Sequence, residues 1–238
     1  MSMFVSELFE KLSYGELSNL NLSGEGNGGI IEEKQPATIL HANNALLTLY
    51  SRFILKEKDF LLEEVDHITN YHLLKKYAES QQPQPGVDYA YIKDLNREHF
   101  EEDIIKIMMV YDGGGHPIPL NDFDAPGSVF TPLQQQILQV PNPRNGVSLG
   151  VGYQAMHEKL VLVKDVDQLI EMPEVLHCAY TSLIGSYVYG DINTQEATIK
   201  SQMLFQRYDS ICLDLIERDI LNSSTSTTNT RFKKRGWV

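Results

Sequence analysis

The chain has 238 residues, 42% hydrophobic and 22% charged, with a formal net charge of -12. That composition supports one folded core or two small ones and excludes a wholly disordered chain; the acidic balance excludes a general nucleic-acid binder, which needs a basic face against phosphate. No apolar run reaches the roughly 18 to 20 residues that cross a bilayer, and MSMFVSELFEKLSYGELS lacks the basic flank and apolar stretch of a signal peptide, so a protein made and used in a cytoplasm is expected.

Residues 1–20 read as a short helix, with Phe4, Leu8, Phe9, Leu12 and Leu17 recurring near helical spacing. NLSGEGNGGIIEEK at 21–34 follows, a glycine-rich composition that predicts a flexible surface loop at a subunit contact. Pro36 then suits the first turn of a helix on which Ile39, Asn43, Leu46, Tyr50 and Phe53 recur at 3.6-residue intervals, with Leu40, Leu47 and Ile54 beside them. FILKEKDFLLEEV alternates enough to supply a strand, and His72 to Ser80 reads as helix before QQPQPG breaks the chain.

Between 104 and 165 the texture changes. IIKIMMVYD, QQQILQVP, GVSLGVGYQAM and KLVLVKD are short apolar segments separated by Gly, Pro and Asn, which predicts a small antiparallel sheet. Pro141 and Pro143 place the QQQILQV segment at an edge or at a strand end.

After Pro173 helical periodicity returns through Val175, Leu176, Ala179, Tyr180, Leu183, Ile184 and Tyr187. Asn193 with Glu196 reads as a capping box for a second helix, on which Ala197, Leu204, Tyr208, Ile211, Cys212 and Leu215 form one stripe. The two should pair as an antiparallel hairpin ending near Leu221. Cys178 and Cys212, the only cysteines, read as reduced core thiols in apolar, helical surroundings.

The expected fold is therefore α+β and mainly α. N-terminal helices and a loop (21–35) fill 1–103, a small antiparallel β subdomain 104–165, a helical hairpin completing a bundle 166–221, and an extended arm 222–238. The arm has a Ser/Thr-rich spacer and then RFKKRGWV, in which Arg231, Lys233, Lys234 and Arg235 surround Phe232 and precede Trp237 and Val238. Taking those four cations away leaves the remaining chain near -16, so body and arm carry opposite signs. Aromatics among cations are interface anchors, and the arm reads as a tether ending in a plug.

Candidate chemistry is sparse. DGGGHP at 112–117 has the glycines of a phosphate loop, but no GxxxxGK[ST] or GxGxxG opens a helix there, and a hairpin turn is the better reading. The seven histidines, His41, His67, His72, His99, His116, His157 and His177, show no zinc spacing. The acidic runs Glu32–Glu33, Glu63–Glu64 and Glu101–Asp103 read as solvated faces. No enzyme, cofactor or metal is expected; a hydrolase using His116 with nearby carboxylates, and a DNA-binding module acting through the arm, are the contrasting readings.

LSYGELSNL, PATILHANNALLTLYSRF, VYDGGGHPIPLND, GVGYQAMHEKL, IEMPEVLHCAYTSLIGSYV and YDSICLDLIERDIL, in that order, resemble the head-to-tail adaptor, or neck connector, proteins of tailed and particularly short-tailed bacteriophages. The resemblance implies a twelvefold ring beneath the portal in the virion neck, assembled in the host cytoplasm, with a tail tube or nozzle on its other face. Genomic DNA would be passing cargo, no membrane would be involved, and acidic side chains would repel the duplex in the channel. It also implies that Arg231, Phe232, Lys233, Lys234, Arg235, Trp237 and Val238 dock on the portal. A tail-side collar or nozzle protein is the alternative within the same virion.

Overall fold

The computed structural model describes residues 2–20, 29–94, 99–132, 136–162, 167–218 and 220–221. In chain order the elements are β1 (Met3–Phe4), α1 (Val5–Tyr14), α2 (Gln35–Arg52), β2 (Glu57–Glu63), β3 (Asn70–His72), β4 (Ile92–Lys93), β5 (Ile104–Tyr111), β6 (Pro117–Ile118), β7 (Ile137–Gln139), β8 (Ser148–Ala155), β9 (Leu169–Ile170), α3 (His177–Gly190) and α4 (Gln195–Glu217). They form two compact units, Met1–Ile54 with Lys159–Val238, and Leu55–Glu158.

The helical unit is organised by α3, where Ala179, Tyr180, Leu183 and Ile184 are all fully buried. Small residues let α4 come close: a Cβ on Gly185 would stand 3.0 Å from Leu204 Cδ1, and Ser201 Oγ donates to the Ser186 carbonyl at 2.8 Å. On the other side α2 buries Ile39, Ala42, Leu46, Leu49 and Tyr50. Asn43, an unlikely core residue by polarity, is satisfied by exchanging two hydrogen bonds with the Leu160 backbone, at 3.0 and 2.8 Å. The expected hairpin is present, but its cap is not the expected pair. Thr194 is the N-cap of α4, its hydroxyl accepting the Ala197 N–H at 3.2 Å, because the helix begins one residue later than an Asn193 cap requires.

At the N-terminus the helix is shorter than the residue pattern suggests. Met3 and Phe4 pair with Ile170 and Leu169 as β1–β9, and α1 then buries Leu8, Phe9 and Leu12. His177 at the start of α3 is buried. Burial first, and then the Lys11 ammonium 3.3 Å from its Nδ1, hold the imidazole below its usual range.

The second unit is a five-stranded antiparallel sheet in the order β4-β2-β8-β5-β6. Phe60 of β2 and Val110 of β5 both lie opposite Val151 of β8; these three are buried, with Leu62, Ile107, Leu149 and Tyr153, in one core. A separate pair, β3–β7, sets Tyr71 opposite Leu138. β7 stops at Gln139, just before Pro141, as that proline predicts.

Three expectations are corrected. The protein is not a mainly helical bundle with a β insertion: it is about 38% helical and 20% strand, a mixed fold with four helices and a five-stranded sheet among the described residues. Strand content exceeds the local signal because β2 is completed by β8, almost a hundred residues later, and by β4, only two residues long. His72–Ser80 is not a helix either. It runs from the end of β3 into two single 3-10 turns, Lys75–Tyr77 and Glu79–Gln81, since burying Leu73 and Ala78 in the sheet core outweighs helical propensity. KLVLVKD, expected as a strand, contains no strand among its described residues.

Two measurements probe this structure. Replacing Thr194 with Ala is expected to lower the free energy of unfolding by about 1 kcal/mol, and Asn193→Ala by much less, in chemical denaturation. The depressed His177 basicity has a definite sign: the unfolded chain takes up a proton at higher pH than the folded one, so this contribution is complete above about pH 7 and is lost as pH falls through the ordinary imidazole range. Melting temperatures across that range should fall more for the wild type than for His177→Gln.

Candidate interaction surfaces

The second hairpin helix, α4, carries exposed apolar side chains as well as a buried apolar stripe. Leu204, Tyr208, Cys212 and Leu215 are buried, yet Ile199, Met203, Phe205, Leu213 and Ile216 are exposed, Met203 at 59%. At 3.6 residues per turn, Ile199, Met203 and Leu213 fall opposite the buried stripe. Exposed apolar side chains gathered on one side of a helix suit contact with another protein surface; here they stand among the exposed Gln206, Ser210 and Glu217. The sequence reading found the buried stripe but missed the outer one, because a stripe search stops at the first face. Counting apolar residues on both sides would have found it.

α4 is held firmly enough to present that side. Arg52 Nη1 of α2 is 2.7 Å from Asp209 Oδ1, and its guanidinium lies 5.5 Å from the centre of the Tyr208 ring. Between α2 and the hairpin a groove of about 600 Å³ is bordered by Asn44, Leu47, Tyr187 and Ser201, with His41 Nε2 and Asp191 Oδ2 at 3.0 Å on its rim. Of the two thiols, Cys212 is buried and Cys178, expected in the core, is exposed; both are free. Cys178 falls on the open side of α3's first turn, whereas burial pushes the Cys212 thiol up from its usual range.

No family model matches the chain, and no curated protein matches it.

The residues singled out by sequence are placed as follows. Arg231, Phe232, Lys233, Lys234, Arg235, Trp237 and Val238 all lie outside the described residues, as does most of the glycine-rich loop. Among the described residues no three His, Cys, Asp or Glu side chains gather as a metal site would need, and no helix is long and apolar enough to cross a membrane.

DGGGHP is the β5–β6 turn, and the amides of Gly114, Gly115 and His116 are already engaged. Asp112 Oδ1 accepts the N–H groups of Gly114 at 2.9 Å and His116 at 2.8 Å, and its carbonyl accepts that of Gly115 at 2.9 Å. The His116 amide first, with the Gly114 amide and the imidazole adding to it, holds the Asp112 carboxyl below its usual range. These donors therefore face the carboxylate and carbonyl oxygens of Asp112 rather than an incoming phosphate.

The acidic runs divide. Lys58 reaches Asp103 at 2.8 Å and Glu101 at 3.3 Å, Glu102 Oε2 accepts the Lys75 N–H, and Glu63 is 3.5 Å from Lys93. Glu64 departs from the expected solvated face: it is only 6% exposed, and its Oε2 accepts the Arg144 N–H at 2.6 Å. Glu64, one residue past the end of β2, continues the alternation of the buried Phe60 and Leu62, which carries the carboxylate inward.

Gly115 has φ +78°, a conformation open to glycine at little cost. Gly115→Val should lower stability by about 1–2 kcal/mol, measured by denaturant unfolding.

Proposed function

We propose that the chain is a structural subunit of the head-to-tail junction of a tailed bacteriophage, one copy of a ring between portal and tail. The observation that carries the assembly part of this reading is the outer side of α4. Exposed aliphatic side chains on the far side of a long, well-anchored helix suit a contact with another protein surface. In a ring each copy offers two different surfaces, so this side would pack on a different part of the next copy. The virion assignment is supported by the order of sequence segments described above, and the acidic body suits a channel through which DNA passes without sticking. The arm would serve as the reaching element toward portal, its cations setting orientation and its aromatics contributing contact area.

The experiment is a mass measurement, by light scattering or native mass spectrometry, on the protein alone and mixed with an isolated portal ring. A closed oligomer, alone or on the portal, is expected. Met203→Glu combined with Leu213→Glu, at exposed positions that leave the core intact, should reduce it to single copies with an unchanged circular dichroism spectrum. A protein that stays a single copy in both mixtures, or a double variant that assembles like the wild type, would overturn the proposal.

A further inference from the structure

A pocket of about 290 Å³ lies in the sheet unit beside the segment between β6 and β7. Ile118, Val129, Phe130 and Leu149 give it apolar wall, Ser128 and Asn142 add polar groups, and the carboxylate-bearing Glu64 is part of its lining. A buried carboxylate normally faces a cation. Among the described residues its carboxylate accepts one hydrogen bond, from a backbone amide, no cation pairs with it, and the Arg144 side chain is exposed. A pocket with apolar wall and an acid in its lining is complementary to a long basic side chain, whose methylenes cover the apolar part while its head meets the carboxylate.

The mouth carries a second feature. Phe123 is 89% exposed, with its ring 4.8 Å from that of Phe130 and the exposed Asp122 and Asp124 on either side. It is held there by its loop: Thr131 N–H donates to Asn121 Oδ1 at 2.8 Å, Asn121 N–H to the Val129 carbonyl at 2.8 Å, and Asp122 N–H to Ser128 Oγ at 3.1 Å. An aromatic ring fixed in water by a well-bonded loop loses little further freedom on contact, which is what a docking anchor requires.

Basic side chain, aromatic side chain and positive charge occur together in RFKKRGWV. In an extended chain, residues two apart share a side, so Arg235 and Trp237 can address the pocket and Phe123 at once. Residues 222–238 give roughly 55 Å of reach when extended. We propose that this pocket is the seat for the basic arm of a second copy of this chain, with Arg235 entering toward Glu64 and Trp237 lying on Phe123. The inference rests on the proposed function only in needing copies side by side; a portal would then draw the arm out of this seat.

Trp237 is the only tryptophan, so the emission of the intact protein reads the arm directly. In the assembled protein without portal its maximum is expected to lie to the blue of free tryptophan and to move red on dilution to single copies. Phe123→Ala, at a site too exposed to affect folding, Glu64→Gln, which keeps an acceptor for the Arg144 amide, and Arg235→Gln should each move it red at a concentration where mass still reports the oligomer. Solvent-like emission in the assembled wild type, emission unmoved by Phe123→Ala and Glu64→Gln together, or a blue maximum that survives dilution and so reports a copy's own arm, would each overturn the seat. The oligomer's mass, read in parallel, tests ring formation separately.

Discussion

Close approach of α3 and α4 is the contact from which the rest of the helical unit follows. Gly185 leaves room for Leu204, and the Ser186–Ser201 hydrogen bond satisfies polar groups where the helices are nearest. With α2 on its other side, α3 is covered along most of its length, which is why its run of apolar and small residues shows no polar face. α4 is covered on one side only. Its far side keeps exposed apolar side chains that no other described residue of the unit covers.

In the sheet unit the corresponding constraint is β8, which lies between β2 and β5 and fixes the register of both. Because side chains alternate along a strand, the register that buries Phe60 and Leu62 also turns Glu64 inward while Glu63 reaches Lys93 at the surface. Two neighbouring glutamates thereby acquire different chemistry. One is half of an exposed ion pair of small energetic consequence; the other is a buried acid beside an apolar pocket.

The helices were legible where apolar spacing is local and repeated. The α2 and α3 stripes and the antiparallel hairpin could be read along the chain, as could the β5–β6 turn in its glycines and the end of β7 in Pro141. Less was legible where a residue's state depends on a distant partner. β2 is completed by residues far downstream, Leu73 and Ala78 enter the sheet core instead of forming a helix, and Thr194 takes the capping position that Asn193 also suited. Of the candidate surfaces, the basic and aromatic composition of residues 231–238 is a property of sequence alone, whereas the outer side of α4 was hidden by the more regular stripe next to it.

Composition and periodicity were enough to establish the acidic body, the opposite charge of residues 222–238, the hairpin helices and the tight turn at Gly113–Gly115. Each depends on residues near one another in the chain, whose sterics and spacing act without outside help. The balance of helix and sheet, the burial of Glu64, the exposure of Phe123 and the open side of α4 came from tertiary structure. Their cause is long-range strand pairing and helix contact, which choose the face of each residue that meets water, and the identity of a residue does not contain that choice.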